Sequence, residues 1–155
     1  ATVGLFVNEP LAEVDRIIET LGLGLAQFHG DESPDYCEAV GVRYMKALRA
    51  TSRDQIIVEA QFFESAQAIL VDTATDGKFG GTGKTFDWCM LPELDRPLVL
   101  AGGLDAANVG AAIAAIKPYA VDVSGGVEGM TGIKDFVKMA NFVEAVRSAD
   151  GSNNE

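Results

Sequence analysis

Pro97-Leu-Val-Leu-Ala-Gly-Gly-Leu104 and Ala120-Val-Asp-Val-Ser-Gly-Gly-Val-Glu128 are two short apolar runs, and each ends in a pair of glycines. A run of four or five apolar residues closed by Gly-Gly reads as a buried strand leading into a tight turn. Glycine leaves no side chain between the backbone and a ligand, and successive N–H groups at such a turn direct partial positive charge at an anion. One such turn is common. Two of them, one helical repeat apart, point to a phosphate seat built from Gly102, Gly103, Ser124, Gly125 and Gly126.

Outward from this pair, the whole chain alternates apolar strands with amphipathic helices, the pattern of successive βα units on a parallel sheet. Strand starts near Thr2, Leu25, Arg43, Ala68, Pro97 and Ala120 are 23, 18, 25, 29 and 23 residues apart, which gives six units. In a parallel barrel, the loops after the last two strands form a recurrent phosphate site, so the glycine turns sit where that architecture places one. The first helix is expected to open on Asn8-Glu9-Pro10, with Asn8 as its cap, and the second on Ser33-Pro34. A last helix is expected over Gly132–Arg147, so that residues 1–147 make one domain and 148–155 a polar tail.

Composition bounds the function. The 155 residues are 48% hydrophobic, enough for one globular core. No apolar run approaches the roughly 18 residues of a membrane span, and the chain opens on a strand, so a cytoplasmic protein with no membrane partner is expected. A formal charge of −11 with 12 Lys+Arg argues against nucleic acid, whose phosphate backbone needs clustered cations. It also means that an anionic substrate must be held locally, by backbone N–H groups and at most a lysine. Cys37 and Cys89 lie on expected helices without metal-ligand spacing, so they read as reduced, half-buried thiols and no metal or other cofactor is expected.

Candidate chemistry falls at strand ends. Gln27 and His29 are two apart at the end of the second strand and share a face there; His29 is either structural or a ligand contact. Lys46, near the end of the third strand Arg43–Ala47, is expected to lie in solvent, with a ligand contact as the alternative. Asp72 closes the apolar strand Ala68-Ile-Leu-Val-Asp72, where an acid either caps a turn or does chemistry. The segment Thr75–Lys84 is long and glycine-rich and reads as a lid carrying Gly80, Gly81 and Gly83. It is not a nucleotide P-loop, because G-x-x-x-x-G-K-[ST] would need glycine at position 78, which is Lys78.

Several motifs together resemble the phosphoribosylanthranilate isomerases of tryptophan biosynthesis, small (β/α)₈ TIM barrels. They are Val3-Gly-Leu-Phe-Val-Asn8, Gln27-Phe-His-Gly-Asp31, Leu70-Val-Asp-Thr73, Gly80-Gly-Thr-Gly-Lys-Thr-Phe-Asp-Trp88, Ala101-Gly-Gly-Leu104 with Asn108-Val109, Val121-Asp-Val-Ser124 with Gly126-Val-Glu128, and Gly132-Ile-Lys-Asp135. The resemblance implies an Amadori rearrangement of a phosphosugar without a cofactor. Asp72 would be the general acid, the two glycine turns the phosphate site, and Gln27, His29 and Asp122 substrate contacts.

Two expected features are absent. The family's general base is a cysteine in a Lys-Ile-Cys-Gly strand, and an arginine after the next strand holds the anthranilate carboxylate; neither motif occurs here. The expectation is therefore a partial barrel of about six βα units, lacking two units or roughly 50–60 residues. Such a fragment would keep the acid and the phosphate seat, turn over little substrate alone, and self-associate through unpaired sheet edges. A non-catalytic phosphate-binding half-barrel working through assembly, and another phosphate-barrel enzyme of tryptophan or histidine biosynthesis, remain the alternative readings.

Overall fold

The computed structural model describes residues 1–73 and 88–152, so the expected lid with Gly80, Gly81 and Gly83 lies outside the described residues. Strands β1 (Val3–Phe6), β2 (Leu25–Phe28), β3 (Arg43–Arg49), β4 (Ala68–Asp72), β5 (Leu98–Ala101) and β6 (Ala120–Val121) form one sheet in that order. Every pairing in it is parallel. Helices α1 (Leu11–Leu21), α2 (Pro34–Ala39), α3 (Arg53–Phe62) and α4 (Val109–Ile116) fall between strands, and α5 (Phe136–Ser152) closes the chain. Parallel neighbours need such crossovers, so all strand C-termini collect at one rim.

The alternation of side chains divides each strand between two faces. Ala26, Phe28, Ile69, Val71 and Leu100 belong to the main core, which includes Val14 and Ile18 of α1, Ile56 of α3 and Val109 and Ile113 of α4. The opposite face carries smaller side chains: Ala47, Leu70, Val99 and Ala101 form a second cluster there. Gln27 and His29 are odd-numbered like Leu25, while Asp72 shares its parity with Leu70 and Asp122 with Ala120. Their side chains are therefore set on the second face, away from the helices.

Several elements differ from the sequence expectation. Asn8 does not cap α1. It adopts φ 55°, and its side chain accepts the Asp31 N–H at 2.7 Å, so it joins two loops, while Pro10 occupies the cap position. Ser33 does cap α2, accepting the Tyr36 N–H at 3.2 Å. Before α5 the chain makes an antiparallel hairpin, β7 (Glu128–Met130) and β8 (Ile133–Lys134), so α5 begins at Phe136 rather than Gly132. It continues to Ser152, because Ala145, Val146 and Ala149 still pack on the core. Cys37 is fully buried and Cys89 is exposed on a 3₁₀ turn, Trp88–Met90; neither is half-buried.

Lys46 is the largest departure. It is 3% exposed, since its parity is that of Tyr44 and Leu48 and points it between sheet and helices. No helix among the described residues is long and apolar enough to cross a membrane.

Candidate active site

At the rim, a cleft of about 420 Å³ gathers nearly all of the candidate residues. It is lined by His29 from the end of β2 and Asp72 from β4. Gly102 and Gly103 follow β5, and Asp122, Ser124, Gly125 and Gly126 follow β6. A larger hollow of about 920 Å³, lined in part by Pro97, Lys117 and Tyr119, lies where β5 and β6 begin. In a parallel α/β sheet that end serves stability, while chemistry sits at strand C-termini, and we take the smaller cleft as the site.

Asp72 and His29 are 43 residues apart in sequence, yet His29 Nε2 lies 3.1 Å from Asp72 Oδ2. Gln27 Nε2 lies 3.2 Å from His29 Nδ1. An amide nitrogen only donates, so Gln27 makes Nδ1 the acceptor and leaves the proton on Nε2 to be donated to Asp72 Oδ2. Gln27 itself is buried and does not line the cleft; it acts on the site through His29. The pair is partly open to solvent, with side-chain exposures of 28% for His29 and 25% for Asp72.

The seat after β5 is braced from both sides. Gly102 and Gly103 have φ 90° and 63°, the left-handed region that favours glycine. Thr73 Oγ1 donates to Ala101 O at 3.0 Å and Gly102 O at 2.9 Å, and Asn108 Nδ2 donates to Gly103 O at 2.9 Å. Once these carbonyls are engaged by protein donors, the turn's remaining valence for a ligand is its N–H groups. Asp105 Oδ1 accepts the Ala107 and Asn108 N–H groups and its carbonyl accepts the Val109 N–H at 3.1 Å, so it caps the turn that leads into α4.

The second turn abuts the first. A Cβ on Gly126 would stand 1.9 Å from Leu104 O, so only glycine lets the two backbones approach this closely. Three carboxylates, Asp72, Asp105 and Asp122, also line the cleft, and an anion there needs the backbone donors to offset them. A cation stands nearby: Lys134 Nζ donates to Ser124 O at 2.9 Å, Ser124 Oγ at 3.1 Å and Glu128 Oε1 at 2.8 Å. The Lys134 ammonium holds the Glu128 carboxyl below its ordinary range. Because Ser124 Oγ accepts from Lys134, its own proton is left to donate to a ligand. Nothing in Gly132-Ile-Lys-Asp135 marks this lysine in the sequence, because its nearness to Ser124 comes from the β7–β8 hairpin, whose short strands carry no sequence signal.

Neither cysteine lines the cleft among the described residues. Burial pushes the Cys37 thiol up to about 11, which suits core packing and not proton abstraction. Among the described residues no cluster of His, Cys, Asp and Glu could hold a metal ion.

Residues 1–145 match the family model described as N-(5'-phosphoribosyl)anthranilate (PRA) isomerase. The isomerase of Pseudomonas putida F1 is 51% identical over 149 residues, which is 96% of this chain and 72% of the relative. That of Pseudomonas fluorescens SBW25 is 49% identical over 152 residues, covering 97% of this chain and 72% of the relative. The crystal structure of phosphoribosyl anthranilate isomerase from Thermotoga maritima superposes with a TM-score of 0.84 at 36% identity, covering 94% of this chain and 72% of that one. Another isomerase structure is a complex with reduced 1-(o-carboxyphenylamino)-1-deoxyribulose 5-phosphate. It matches with a TM-score of 0.77 at 30% identity over 94% of this chain and 71% of its own. The open six-stranded sheet is thus TIM-barrel-like, and the chain belongs to the N-(5'-phosphoribosyl)anthranilate isomerase family.

Proposed function

We propose that this cleft carries out the rearrangement for which the family is named, converting N-(5'-phosphoribosyl)anthranilate to the corresponding aminoketose in tryptophan biosynthesis. The observation that carries the reading is Asp72: a carboxyl at the end of β4, 3.1 Å from His29, in one cleft with both glycine turns. The substrate phosphate sits on the N–H groups of Gly102, Gly103, Gly125 and Gly126 and on the Ser124 hydroxyl. Asp72, protonated, gives its proton to the furanose ring oxygen. The C1–O bond breaks as the anilino nitrogen's lone pair forms a C1=N bond, and His29 Nε2–H then stabilises the carboxylate left behind. Loss of the C2 proton to a base gives an enol, C1=C2–OH, and release of the 2-hydroxyl proton with protonation at C1 then completes the C2 ketone. Asp122 lines the same cleft and contacts the sugar. The described cleft holds no thiol for the C2 step.

The sheet is read as the six-unit part of a (β/α)₈ barrel, supported by coverage of about 72% of the Thermotoga isomerase. Its order leaves β1 and β6 outermost, and we infer that these edges drive self-association. That observation, with the cleft's lack of a thiol, favours a second reading, a phosphosugar-binding half-barrel acting through assembly.

Turnover separates the two. Wild type is expected to bind the reduced product analogue in competition with inorganic phosphate. Its isomerisation of the aminoaldose, followed by anthranilate fluorescence, is expected to fall about 10²- to 10⁴-fold in Asp72→Asn with analogue affinity kept. Binding without any turnover selects the second reading, and a chain that binds neither ligand overturns both.

A further inference from the structure

Among the described residues Lys46 is the only buried cation, and its partner Glu32 is buried as well. Lys46 Nζ donates to Glu32 Oε2 at 2.8 Å, to Gly30 O at 2.5 Å and, more weakly, to Phe28 O at 3.5 Å. Glu32 in turn accepts the Asn8 N–H at 2.8 Å and the Gly30 N–H at 2.9 Å. Neither side chain lines the cleft with Asp72 and the glycine turns, and no step of the rearrangement uses them.

An ion pair taken out of water costs several kcal/mol per charge, and apolar replacement of both partners is often neutral or stabilising. Stability alone is therefore a weak reason for this pair. Its geometry supplies another. The two carbonyls that Lys46 holds, Phe28 O and Gly30 O, flank His29 on either side, and Glu32 holds the Gly30 N–H as well. The His29 N–H itself goes to Phe6 O at 2.9 Å, and Gln27 and Asp72 take the two ring nitrogens.

We propose that Lys46 and Glu32 are positioning residues that clamp the backbone on both sides of His29, and so keep its Nε2–H directed at Asp72. The functional importance of this clamp rests on the acid role assigned to Asp72 above. Burial raises the Glu32 carboxyl, but Lys46 and the Asn8 N–H more than offset it, and the group stays below its ordinary range. Glu32 is therefore a carboxylate at neutral pH.

The chain contains a single histidine, so nitrogen-15 spectra of the imidazole report His29 without ambiguity and without any need for turnover. In wild type the two ring nitrogens should be distinct, one protonated and one not. In the double variant Lys46→Met with Glu32→Leu, which removes both charges together, the melt should stay cooperative while the two ring signals move toward each other as tautomers average. Lys46→Arg keeps a charge for Glu32 but cannot place a compact ammonium between Gly30 O and Glu32 Oε2. It should show the same movement in smaller measure, and it decides the matter if the double variant does not fold. Where turnover is measurable, kcat should fall about tenfold to a hundredfold with KM unchanged. A folded variant whose ring signals match wild type overturns the clamp. Absence of turnover in wild type bears on the isomerase reading alone, because the ring signature is read from the resting protein.

Discussion

Gly103 and Gly126 both line the cleft proposed to seat the phosphate, but they are glycine for different reasons. At Gly103 the backbone is left-handed, with φ 63°, and an added Cβ would meet open space. Alanine there should cost about 1–2 kcal/mol of stability in urea denaturation while the seat keeps its shape. At Gly126 the obstruction is the Leu104 carbonyl at 1.9 Å, a backbone atom that cannot rotate aside. Gly126→Ala should therefore separate the two turns and weaken phosphate binding at least tenfold by calorimetry, whereas Gly103→Ala should change it less. Equal effects at the two positions would mean that the contact between turns does not shape the seat. At this scale much of the site was legible: Asp72, His29 and the glycines are marked by their place at strand ends. Lys46 departs from the solvent position its charge suggests, because its parity with Tyr44 and Leu48 turns it to the core face of β3. Lys134 reaches Ser124 from ten residues away, and no local pattern reports that distance.

Among the elements, the six strands were legible because each is an apolar run bounded by turn residues, and the structure starts them within a residue or so of the expected positions. Helix starts were less legible, since they depend on which side chain bonds which N–H. Asn8-Glu9-Pro10 has the composition of a cap, yet Asn8 spends its side chain on Asp31 and its N–H on Glu32. The two helix entries therefore respond differently to serine and alanine. Ser33→Ala should cost about 1 kcal/mol through the lost cap of α2. Asn8→Ser, which a true cap would tolerate, should cost about 1–2 kcal/mol because serine resists φ 55°. A harmless Asn8→Ser in urea melts would return Asn8 to the cap role. The hairpin β7–β8 escaped notice because its strands are two and three residues long. The Glu128–Lys134 ion pair bridges it, and alternating apolar side chains do not define it.

The whole molecule has an asymmetry that no single element displays. The sheet is linear, with β1 and β6 outermost, and apolar side chains crowd both margins. Val3, Leu5 and Val7 are exposed along β1 and Leu21 beside it, while Tyr119, Phe136 and Val137 are exposed near β6 and α5. Exposed strand edges of this kind pair with other chains unless charge or cover prevents it. The net charge of −11 opposes that pairing at low salt and loses its reach as salt screens it. Sedimentation velocity should show a mass that rises with protein concentration and rises further with added salt. Leu5→Lys on the edge strand should return the chain toward monomer. A monomer at every concentration and salt level would exclude association through the edges.

The contact between Gly126 and the Leu104 carbonyl also has an entropic side. A seat lined by arginine or lysine tips must freeze several rotatable bonds each time an anion arrives, at a cost that grows with temperature. Here the walls are main chain resting on main chain, already ordered by folding, and what little remains to be immobilised is one serine hydroxyl. The ordering was done when the sheet formed, so the affinity of the turns for phosphate should depend on temperature mainly through the desolvation of the ion.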